Sequence, residues 1–443
     1  MFENKKIFIF GLARSGYEAA KLLSKYNNDI IVCDKTDEDK EKINELKKLN
    51  IKFIKTDNPE NYLDSSFNYV IKNPGISNEH ICIKKAYSLN INVINEVEVG
   101  YHFIKDKVKI IGITGSNGKT TTTTMIYEVM KKAGLPVILA GNIGYPLCSI
   151  VETVKENDIV VMEVSDHQLL NVCDFKTDIS ILTNLSEVHL DFHGNYNNYK
   201  NIKKRIFNYH TKDNIAIINI GNLDVVNLTK DINSNTITFS SKNKADIYLE
   251  DKVIKYKDEN VVNVNEVKIK GIHNYENIMC LIAIQKIFNI PNIIVDKYLS
   301  EFGGVEHRIE FVKEINGRLF YNDSKATNTE STIVALKSFE NNILLILGGL
   351  DRGHSFEPLN PYLKNVKKIH CYGETKERIK EWSKEQNIPC EIFDNLKGAT
   401  EKAYEISEAN DVILLSPSCA SWDQYKCMED RGNEFKRVIN NFK

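Results

Sequence analysis

The stretch VKIIGITGSNGKTT at residues 108–121 decides the fold of this chain of 443 residues. An apolar strand leads into a turn with two glycines, and a Thr-rich helix follows, which is the context that a phosphate-binding P-loop requires. Gly115 and Gly118 let backbone N–H groups surround phosphate oxygens, while Lys119 can reach the β- and γ-phosphates and Thr120 can ligate Mg²⁺. The usual spacing places a glycine at position 113, where this chain has Ile. The context predicts an ATP site rather than an incidental glycine-rich loop.

Short apolar runs alternate with amphipathic helical stretches on both sides of this loop, which predicts parallel α/β sheets. Over residues 246–270 the pattern changes to short segments in which apolar and polar residues alternate, which predicts a small antiparallel sheet. The pair Gly303-Gly304 predicts a hinge before the last region. The fold class is therefore α/β with three domains: a Rossmann-like domain at 1–104, a central P-loop ATPase-like domain with the small antiparallel sheet at 105–303, and a second Rossmann-like domain at 304–443. In the last domain, strands are predicted near residues 343–347, 367–371, 391–393 and 412–415.

Composition excludes several classes of protein. Lys and Arg number 58 against 60 Asp and Glu, a formal net charge of −2, whereas a general nucleic-acid binder would show a basic excess. No stretch approaches the roughly 18 apolar residues that span a bilayer. The apolar run Ile7–Ala13 is closed by Arg14 and lacks a cleavage site, so it is not a signal peptide. Nine scattered cysteines without a CxxC pair are typical of reduced thiols in a cytoplasm.

A second, weaker glycine turn lies near the N-terminus. The sequence Gly11-Leu-Ala13-Arg-Ser-Gly16 follows a strand, opens a helix and precedes Asp34, which resembles the dinucleotide-binding fingerprint. Ala13 stands where the second glycine belongs, and its methyl group would crowd a bound pyrophosphate. Three interpretations stay open on these residues alone: a turn that binds nothing, an NAD site, or a site for a nucleoside diphosphate.

Further motifs extend the length of the chain, and together with TGSNGKTT they resemble those of the Mur ligases and their folylpolyglutamate synthase relatives. The N-terminal turn, NPG at 73–75 and the long final motif are similar to the branch of the family that adds D-glutamate. The matching stretches are GNIGYP at 141–146, GIHNYEN at 271–277, HRIE at 307–310, NDSKATN at 322–328, LGGLDRG at 347–353 and SPSCASWDQYKCMEDRGNEF at 416–435.

The resemblance implies an ATP-dependent ligase of peptidoglycan precursor synthesis. It would add D-glutamate to the carboxylate of UDP-N-acetylmuramoyl-L-alanine through an acyl phosphate. Its partners would be small-molecule substrates, with no nucleic acid and no membrane, and the protein would be a cytoplasmic monomer. The alternatives are another Mur-type or folylpolyglutamate-type amino-acid ligase, a nicotinamide-dependent oxidoreductase resting on the first glycine turn, and a non-enzymatic P-loop switch.

The resemblance also implies the metal-binding residues. Glu163, at the end of the strand DIVVMEV, would hold Mg²⁺ with Thr120, and His189 would face a second Mg²⁺ ion. Lys203 aligns with a lysine that is carbamylated by CO₂ in this family, and its neighbour Lys204 competes for that assignment. The predicted catalytic residues are Lys119, Glu163, His189 and Lys203.

The chain departs from the family pattern beside this set. Asp166-His167 stands where relatives commonly have Ser-Phe, and Val188 replaces an Asp before His189. His193 matches no family ligand and is interpreted as a loop residue.

The remaining residues that the resemblance implies divide by ligand. ATP would contact Gly115, Ser116, Asn117, Gly118, Lys119, Thr120, Thr121, Asn274, Asn277, Arg308, Asp323 and Lys325. The UDP-linked substrate would contact Arg14, Ser15, Asp34, Lys35, Pro74, Gly75 and Asn142. D-Glutamate would contact Thr327, Arg352, Ser421 and Met428, where Arg352 replaces a common Lys and Met428 an aromatic residue.

Overall fold

The computed structural model describes residues 1–37, 39–188 and 190–442. The chain divides into two compact units. The first comprises Met1–Val262 and Tyr275–Val295, and the second comprises Asn263–Asn274 and Asp296–Lys443. Within the described residues, three sheets of five, nine and six strands carry the predicted α/β fold, which is confirmed.

The N-terminal sheet is parallel throughout, with strand order β3-β2-β1-β4-β5. Its central strand β1 is the apolar KIFIF, whose three middle residues are buried, as expected for a strand covered on both faces. The order reverses direction between β1 and β4, and ligands bind at such a switch point in open parallel sheets. The elements are β1 (Lys6–Phe10), α1 (Arg14–Leu23), β2 (Asp29–Asp34), α2 (Lys40–Lys48), β3 (Lys52–Lys55), β4 (Tyr69–Lys72), α3 (Ile81–Ser88), β5 (Asn92–Ile94) and α4 (Glu96–Ile104).

The second sheet has the order β14-β13-β12-β11-β10-β9-β6-β8-β7. Helices α11 and α12 each cross a boundary between the two compact units. The elements are β6 (Lys109–Thr114), α5 (Lys119–Lys132), β7 (Val137–Gly141), α6 (Leu147–Ile150), β8 (Ile159–Glu163), α7 (Asp166–Leu169), β9 (Ile179–Leu182), α8 (Leu190–His193), α9 (Tyr196–Lys204), β10 (Ile215–Asn219), α10 (Leu223–Leu228), β11 (Asn235–Ser240), β12 (Ile247–Glu250), β13 (Val253–Tyr256), β14 (Glu259–Asn263), α11 (Ile272–Ile287) and α12 (Asn292–Glu301).

The third sheet has the order β15-β16-β20-β17-β18-β19 and is parallel except for the antiparallel pair β15–β16. The four strands predicted for this region are present as β17 to β20. The elements are β15 (Glu310–Ile315), β16 (Arg318–Asn322), α13 (Thr329–Leu336), β17 (Ile343–Gly348), β18 (Val366–Tyr372), α14 (Lys376–Glu385), β19 (Cys390–Ile392), α15 (Leu396–Ile406), β20 (Val412–Leu415) and α16 (Met428–Asn440).

Two expectations need correction. The segment predicted as a small antiparallel sheet does turn back on itself at β12–β13, but β12 also pairs in parallel with β11, so these strands form the edge of the nine-stranded sheet. His193 is not a loop residue, because it ends the short helix α8 and its side chain is buried.

Helix α4 connects the N-terminal sheet to the nine-stranded sheet through buried polar contacts. The Glu96 carboxylate accepts the backbone N–H of Cys148 at 2.5 Å. The Glu98 carboxylate accepts three consecutive backbone N–H groups, those of residues 173–175, at 2.8 to 3.2 Å. Buried polar groups that are fully bonded specify one packing arrangement, which explains why both sheets belong to one compact unit. Among the described residues, no helix is both long and apolar enough to cross a membrane.

Candidate active site

The P-loop connects β6 to α5, and its two glycines adopt conformations that suit glycine alone. Gly115 has φ +148° and Gly118 has φ +81°. A Cβ atom on Gly115 would lie 2.0 Å from Thr183 Oγ1, and one on Gly118 would lie 2.3 Å from Asn277 Oδ1. Both positions therefore exclude a side chain, which leaves the backbone open to close approach.

The segment after β9 holds the first half of this loop. Asn184 accepts the Ser116 N–H on its carbonyl oxygen and the Asn117 N–H on its Oδ1, each at 2.9 Å. The Ser116 hydroxyl lies 2.9 Å from the Tyr199 hydroxyl of helix α9. Asn184 and Tyr199 could not be predicted as site residues, because their positions carry no motif and the parallel pairing of β6 with β9 brings Asn184 to the loop.

Lys119 and Thr120 open helix α5. The Lys119 ammonium donates to the carbonyl oxygens of Gly115 and Ser116 at 2.8 and 2.9 Å, so it lies over the loop. Thr120 and Thr121 are buried at the same helix N-terminus, where the helix dipole favours an anion. The arrangement places a cation, a hydroxyl and a helix terminus together, as phosphate binding requires.

Glu163 ends β8 directly beside the strand that leads into the P-loop, since Ile113 and Glu163 are register partners. Its carboxylate is 1% exposed, and Oε1 accepts the Asn142 amide at 2.7 Å. The second oxygen, Oε2, is buried without a hydrogen-bond partner among the described residues. A buried, half-satisfied carboxylate needs a cation or donor, so Glu163 fits a Mg²⁺ ion bound near the loop.

Lys203 lies one turn beyond Tyr199 on helix α9, and it is completely buried. Its Nζ is 3.1 Å from Thr114 Oγ1 and 3.2 Å from Asp166 Oδ1. Burial and the nearby Lys119 ammonium lower the pKa of Lys203 to about 7, although Asp166 opposes this shift. Lys204 instead forms an exposed ion pair with Asp231 at 2.6 Å. Of the two lysines, only Lys203 faces the P-loop.

Asp166, His167 and His193 form a cluster beside Lys203. Asp166 Oδ2 lies 2.6 Å from His193 Nε2 and 3.1 Å from His167 Nδ1. From the sequence, Asp166 and His167 are departures from a family pattern, and nothing there connects them with His193. The predicted metal-facing His189 lies outside the described residues.

The predicted residues for the UDP-linked substrate gather at the carboxyl edge of the N-terminal sheet. Arg14 and Ser15 begin helix α1. The Asp34 carboxylate accepts the Leu12 N–H of the glycine turn at 2.7 Å, with Lys35 next along the chain. Asn73 donates to Ser15 Oγ at 3.3 Å and thereby joins the turn that contains Pro74 and Gly75 to helix α1. Asn142 does not lie at this edge, because its side-chain amide donates to the Glu163 carboxylate beside the P-loop.

Two predicted adenosine residues lie on helix α11. Asn277 is buried and accepts the hydroxyl of Thr122 at 3.2 Å, so the structure brings it to the helix that follows the P-loop. The Asn274 amide donates to the carbonyl of Lys270 at 2.9 Å.

The second compact unit holds the other predicted residues at the carboxyl edge of its sheet. Asp323 follows β16 and accepts Ser416 Oγ at 2.7 Å and the Ile309 N–H at 3.2 Å. Burial raises the pKa of the Asp323 carboxyl to about 7. Arg308 has a buried Nε without a partner among the described residues, and the Lys325 N–H donates to the carbonyl of His307. Asp323 is therefore bonded within the protein, and its predicted contact with ribose stays a prediction.

The predicted D-glutamate residues follow neighbouring strands of the same sheet. The loops after β17 and β20 meet where the Leu350 N–H donates to the carbonyl of Ala420, which brings Arg352 and Ser421 to one edge. The Arg352 guanidinium lies 4.7 Å from the ring centre of the exposed Trp422. Thr327 follows β16 and Met428 begins helix α16.

Arg431, which was missed as a site residue, supports this edge of the sheet. It is fully buried and donates to the carbonyl and hydroxyl of Ser324 and to the carbonyl of Cys419. The available signal was its place in the motif at 416–435.

The fold, together with the geometry of the P-loop and Glu163, is that of an α/β P-loop protein whose loop fits a nucleotide phosphate and a divalent cation. Residues 113–285 match the Mur ligase middle domain, and residues 307–419 match the Mur ligase glutamate ligase domain. The chain belongs to the Mur ligase family.

Full-length relatives agree with that assignment. The UDP-N-acetylmuramoylalanine–D-glutamate ligase of Geobacillus sp. (strain WCH70) is 40% identical over 447 residues, covering 100% of this chain and 99% of the relative. The ligase of the same name from Streptococcus pneumoniae (strain CGSP14) is 40% identical, covering 100% and 98%. The crystal structure of the UDP-N-acetylmuramate–alanine ligase of Thermotoga maritima shares the fold, with a TM-score of 0.61, 19% identity and coverage of 99% and 100%. Membership of this family argues against the nicotinamide-dependent oxidoreductase.

Proposed function

We propose that the chain is an ATP-dependent ligase that adds D-glutamate to UDP-N-acetylmuramoyl-L-alanine in the synthesis of peptidoglycan precursors. The observation that carries the proposal is the 40% identity, over the whole chain, to ligases of that name. The built P-loop and the half-satisfied carboxylate of Glu163 support ATP as the energy source.

The proposed chemistry begins with attack of the substrate carboxylate on the γ-phosphate of ATP. Two anions must approach each other, so catalysis requires positive charge and fixed donors at that point. Lys119 supplies a cation over the P-loop, and the N-terminus of α5 supplies oriented N–H groups. The amine of D-glutamate then attacks the acyl phosphate, and inorganic phosphate leaves from a tetrahedral intermediate. Arg308 and Lys325 are assigned to the ATP phosphates.

Two Mg²⁺ ions are part of the proposal. Thr120 and Glu163 would hold the ion on ATP, and His189 with a carbamate on Lys203 would hold the other. When bound, such ions neutralise charge on the transferred phosphoryl group. Carbamylation requires a neutral amine, and the buried Lys203, with its pKa lowered to about 7, supplies one.

The substrate assignments follow the clusters described above. We assign the UDP moiety to the switch point of the N-terminal sheet, within a domain at residues 1–104. The central domain would comprise residues 105–303 and the amino-acid-binding domain residues 304–443. The Arg352 guanidinium can bind a carboxylate of D-glutamate through two parallel hydrogen bonds, and Ser421, Thr327 and Met428 complete that pocket.

Release of inorganic phosphate from ATP tests the function. We expect release only when UDP-N-acetylmuramoyl-L-alanine and D-glutamate are both present, and mass spectrometry should detect the joined product. A screen of other amino acids and of folate-type acceptors distinguishes the related ligases. Release without an acceptor, or full activity with a different amino acid and none with D-glutamate, would contradict the proposal. We further propose that the protein is cytoplasmic and monomeric. Light scattering, which measures the molar mass in solution, tests the monomeric state.

A further inference from the structure

The three side chains of Asp166, His167 and His193 converge on one point in the first compact unit. One ligand atom from each lies within 4.8 Å of the other two. The side chains of Asp166 and His193 are 2% and 1% exposed, while that of His167 is 25% exposed. The spacing of these atoms is that of a metal site, and an ion could enter it from solvent past the partly exposed His167 side chain.

Hydrogen bonds of the neighbouring backbone position these ligand atoms. Asp166 begins helix α7, which Ser165 and Gln168 cap reciprocally through side chain and backbone. His193 ends helix α8, and the Asn198 amide donates to its carbonyl oxygen at 3.0 Å. Asp166 and His193 are 27 residues apart in the chain, yet the imidazole and the carboxylate meet at hydrogen-bond distance.

The two oxygens of Asp166 have different neighbours. Oδ1 faces Lys203 at 3.2 Å, whereas Oδ2 faces both imidazole rings. The cluster of Oδ2 and two ring nitrogens therefore lies beside the predicted Mg²⁺ ligand Lys203, which contacts the other oxygen of the same carboxylate, and it uses residues that depart from the family pattern at positions 166 and 167.

The donor set indicates the kind of ion. Two imidazole nitrogens and one carboxylate oxygen suit Zn²⁺ and its common substitute Co²⁺, while Mg²⁺ prefers oxygen ligands alone. A cavity of about 390 Å³ lies next to the cluster, and His193 lines it together with Asn198, Asn201 and Arg205. Water would complete the coordination sphere of an ion that has these three protein ligands.

We propose that Asp166, His167 and His193 bind a divalent transition-metal ion, in addition to the Mg²⁺ ions that accompany ATP. The ion would tie the turn after Glu163 to the segment before helix α9, and so fix the position of Lys203. This inference goes beyond the proposed function and does not depend on the amino acid that is added.

Cobalt binding to the full chain tests the site. The protein is stripped with a chelator and titrated with Co²⁺ alone, without nucleotide, and the visible absorption of nitrogen-ligated Co²⁺ is recorded. Zn²⁺ should displace the signal, and Mg²⁺ should not. We expect His193→Gln and His167→Phe to weaken binding roughly 10- to 100-fold or more. His167→Phe restores the common family residue at a partly exposed position, so it serves if His193→Gln does not fold.

Two controls separate this site from other sources of signal. Glu163→Gln removes a predicted Mg²⁺ ligand, and His102→Gln removes an imidazole outside the cluster, and both should bind Co²⁺ like the original protein. The inference is wrong if the original protein gives no such spectrum, if His193→Gln and His167→Phe bind as tightly, or if only Glu163→Gln loses the signal. Phosphate release with Mg²⁺ reports on the proposed function separately.

Discussion

The Lys119 ammonium lies over the carbonyl oxygens of the P-loop, at the start of helix α5. Lys119→Ala should lower the rate of phosphate release by a factor of roughly 100 to 1,000, because it removes a cation placed for the transferred phosphate. The melting temperature should change little. Lys132→Ala, at the exposed end of the same helix, is the matched control and should keep full activity. Near-normal turnover by Lys119→Ala would show that the assignment of the P-loop to the phosphates of ATP is wrong.

Lys203 and Lys204 are adjacent, but only Lys203 is buried beside Thr114 and Asp166. Lys203→Ala should lose about 100-fold or more of the activity, and a short added carboxylate should restore part of it by replacing the carbamate. Lys204→Ala should remain active, because it loses only an exposed ion pair with Asp231. Rescue of Lys204→Ala instead of Lys203→Ala would show that the assignment is wrong by one residue.

The charge of Lys203 predicts how carbamylation depends on pH. Only the neutral amine reacts with CO₂, and burial with the nearby Lys119 lowers the pKa of Lys203 to about 7. The ammonium form therefore dominates below that pH and the amine above it. Nuclear magnetic resonance with ¹³C-labelled CO₂ should show carbamate on the protein increasing as the pH is raised through about 7. A carbamate signal that persists in Lys203→Ala would assign the modification to another amine.

At the scale of single elements, helix α4 carries the buried carboxyl of Glu96, whose ionisation should make the stability of the protein depend on pH. Burial raises the pKa of Glu96 from 4.5 to about 7, so the folded state holds a proton there that the unfolded state has lost. Stability contributed at this position is present below pH 4.5 and is lost as the pH rises towards 7. Glu96→Gln should therefore raise the free energy of unfolding by up to roughly 3 kcal/mol above pH 7 and by little in acid. Urea unfolding at several pH values measures this, and an equal gain at every pH would contradict it.

The elements also show how far sequence reasoning extends. The P-loop was predictable because strand, glycines, Lys119 and helix are consecutive in the chain. Strands β15 and β16 were not predicted, although HRIE and NDSKATN lie at their ends. Most of their side chains are half-buried, and neither strand shows a strict alternation of buried and exposed residues. The pairing of Asp166 with His193 could not be read from the sequence, because each lies on a four-residue helix too short to show a period.

At the scale of the whole molecule, the chain crosses between its two compact units three times before residue 296. Such crossings depend on contacts between distant segments, and local composition carries no signal of them. The family motifs place predicted functional residues at all three of the described sheets, and the roles of these residues stay predictions. The domain boundaries at 104 and 303 were predicted from changes in the pattern of apolar stretches and from Gly303-Gly304, and they stay predictions.

Each compact unit has an apolar core of its own, which leads to a prediction about unfolding. Val160 is buried in the core of the first unit and Leu345 in the core of the second. Truncating a buried aliphatic side chain to Ala destabilises its surroundings by about 1 to 5 kcal/mol, and units with separate cores need not unfold together. Differential scanning calorimetry should resolve two transitions. Val160→Ala should lower the temperature of one by several degrees, and Leu345→Ala the temperature of the other. A single transition whose calorimetric and van't Hoff enthalpies agree, shifted by both variants, would mean that the two cores unfold as one cooperative unit.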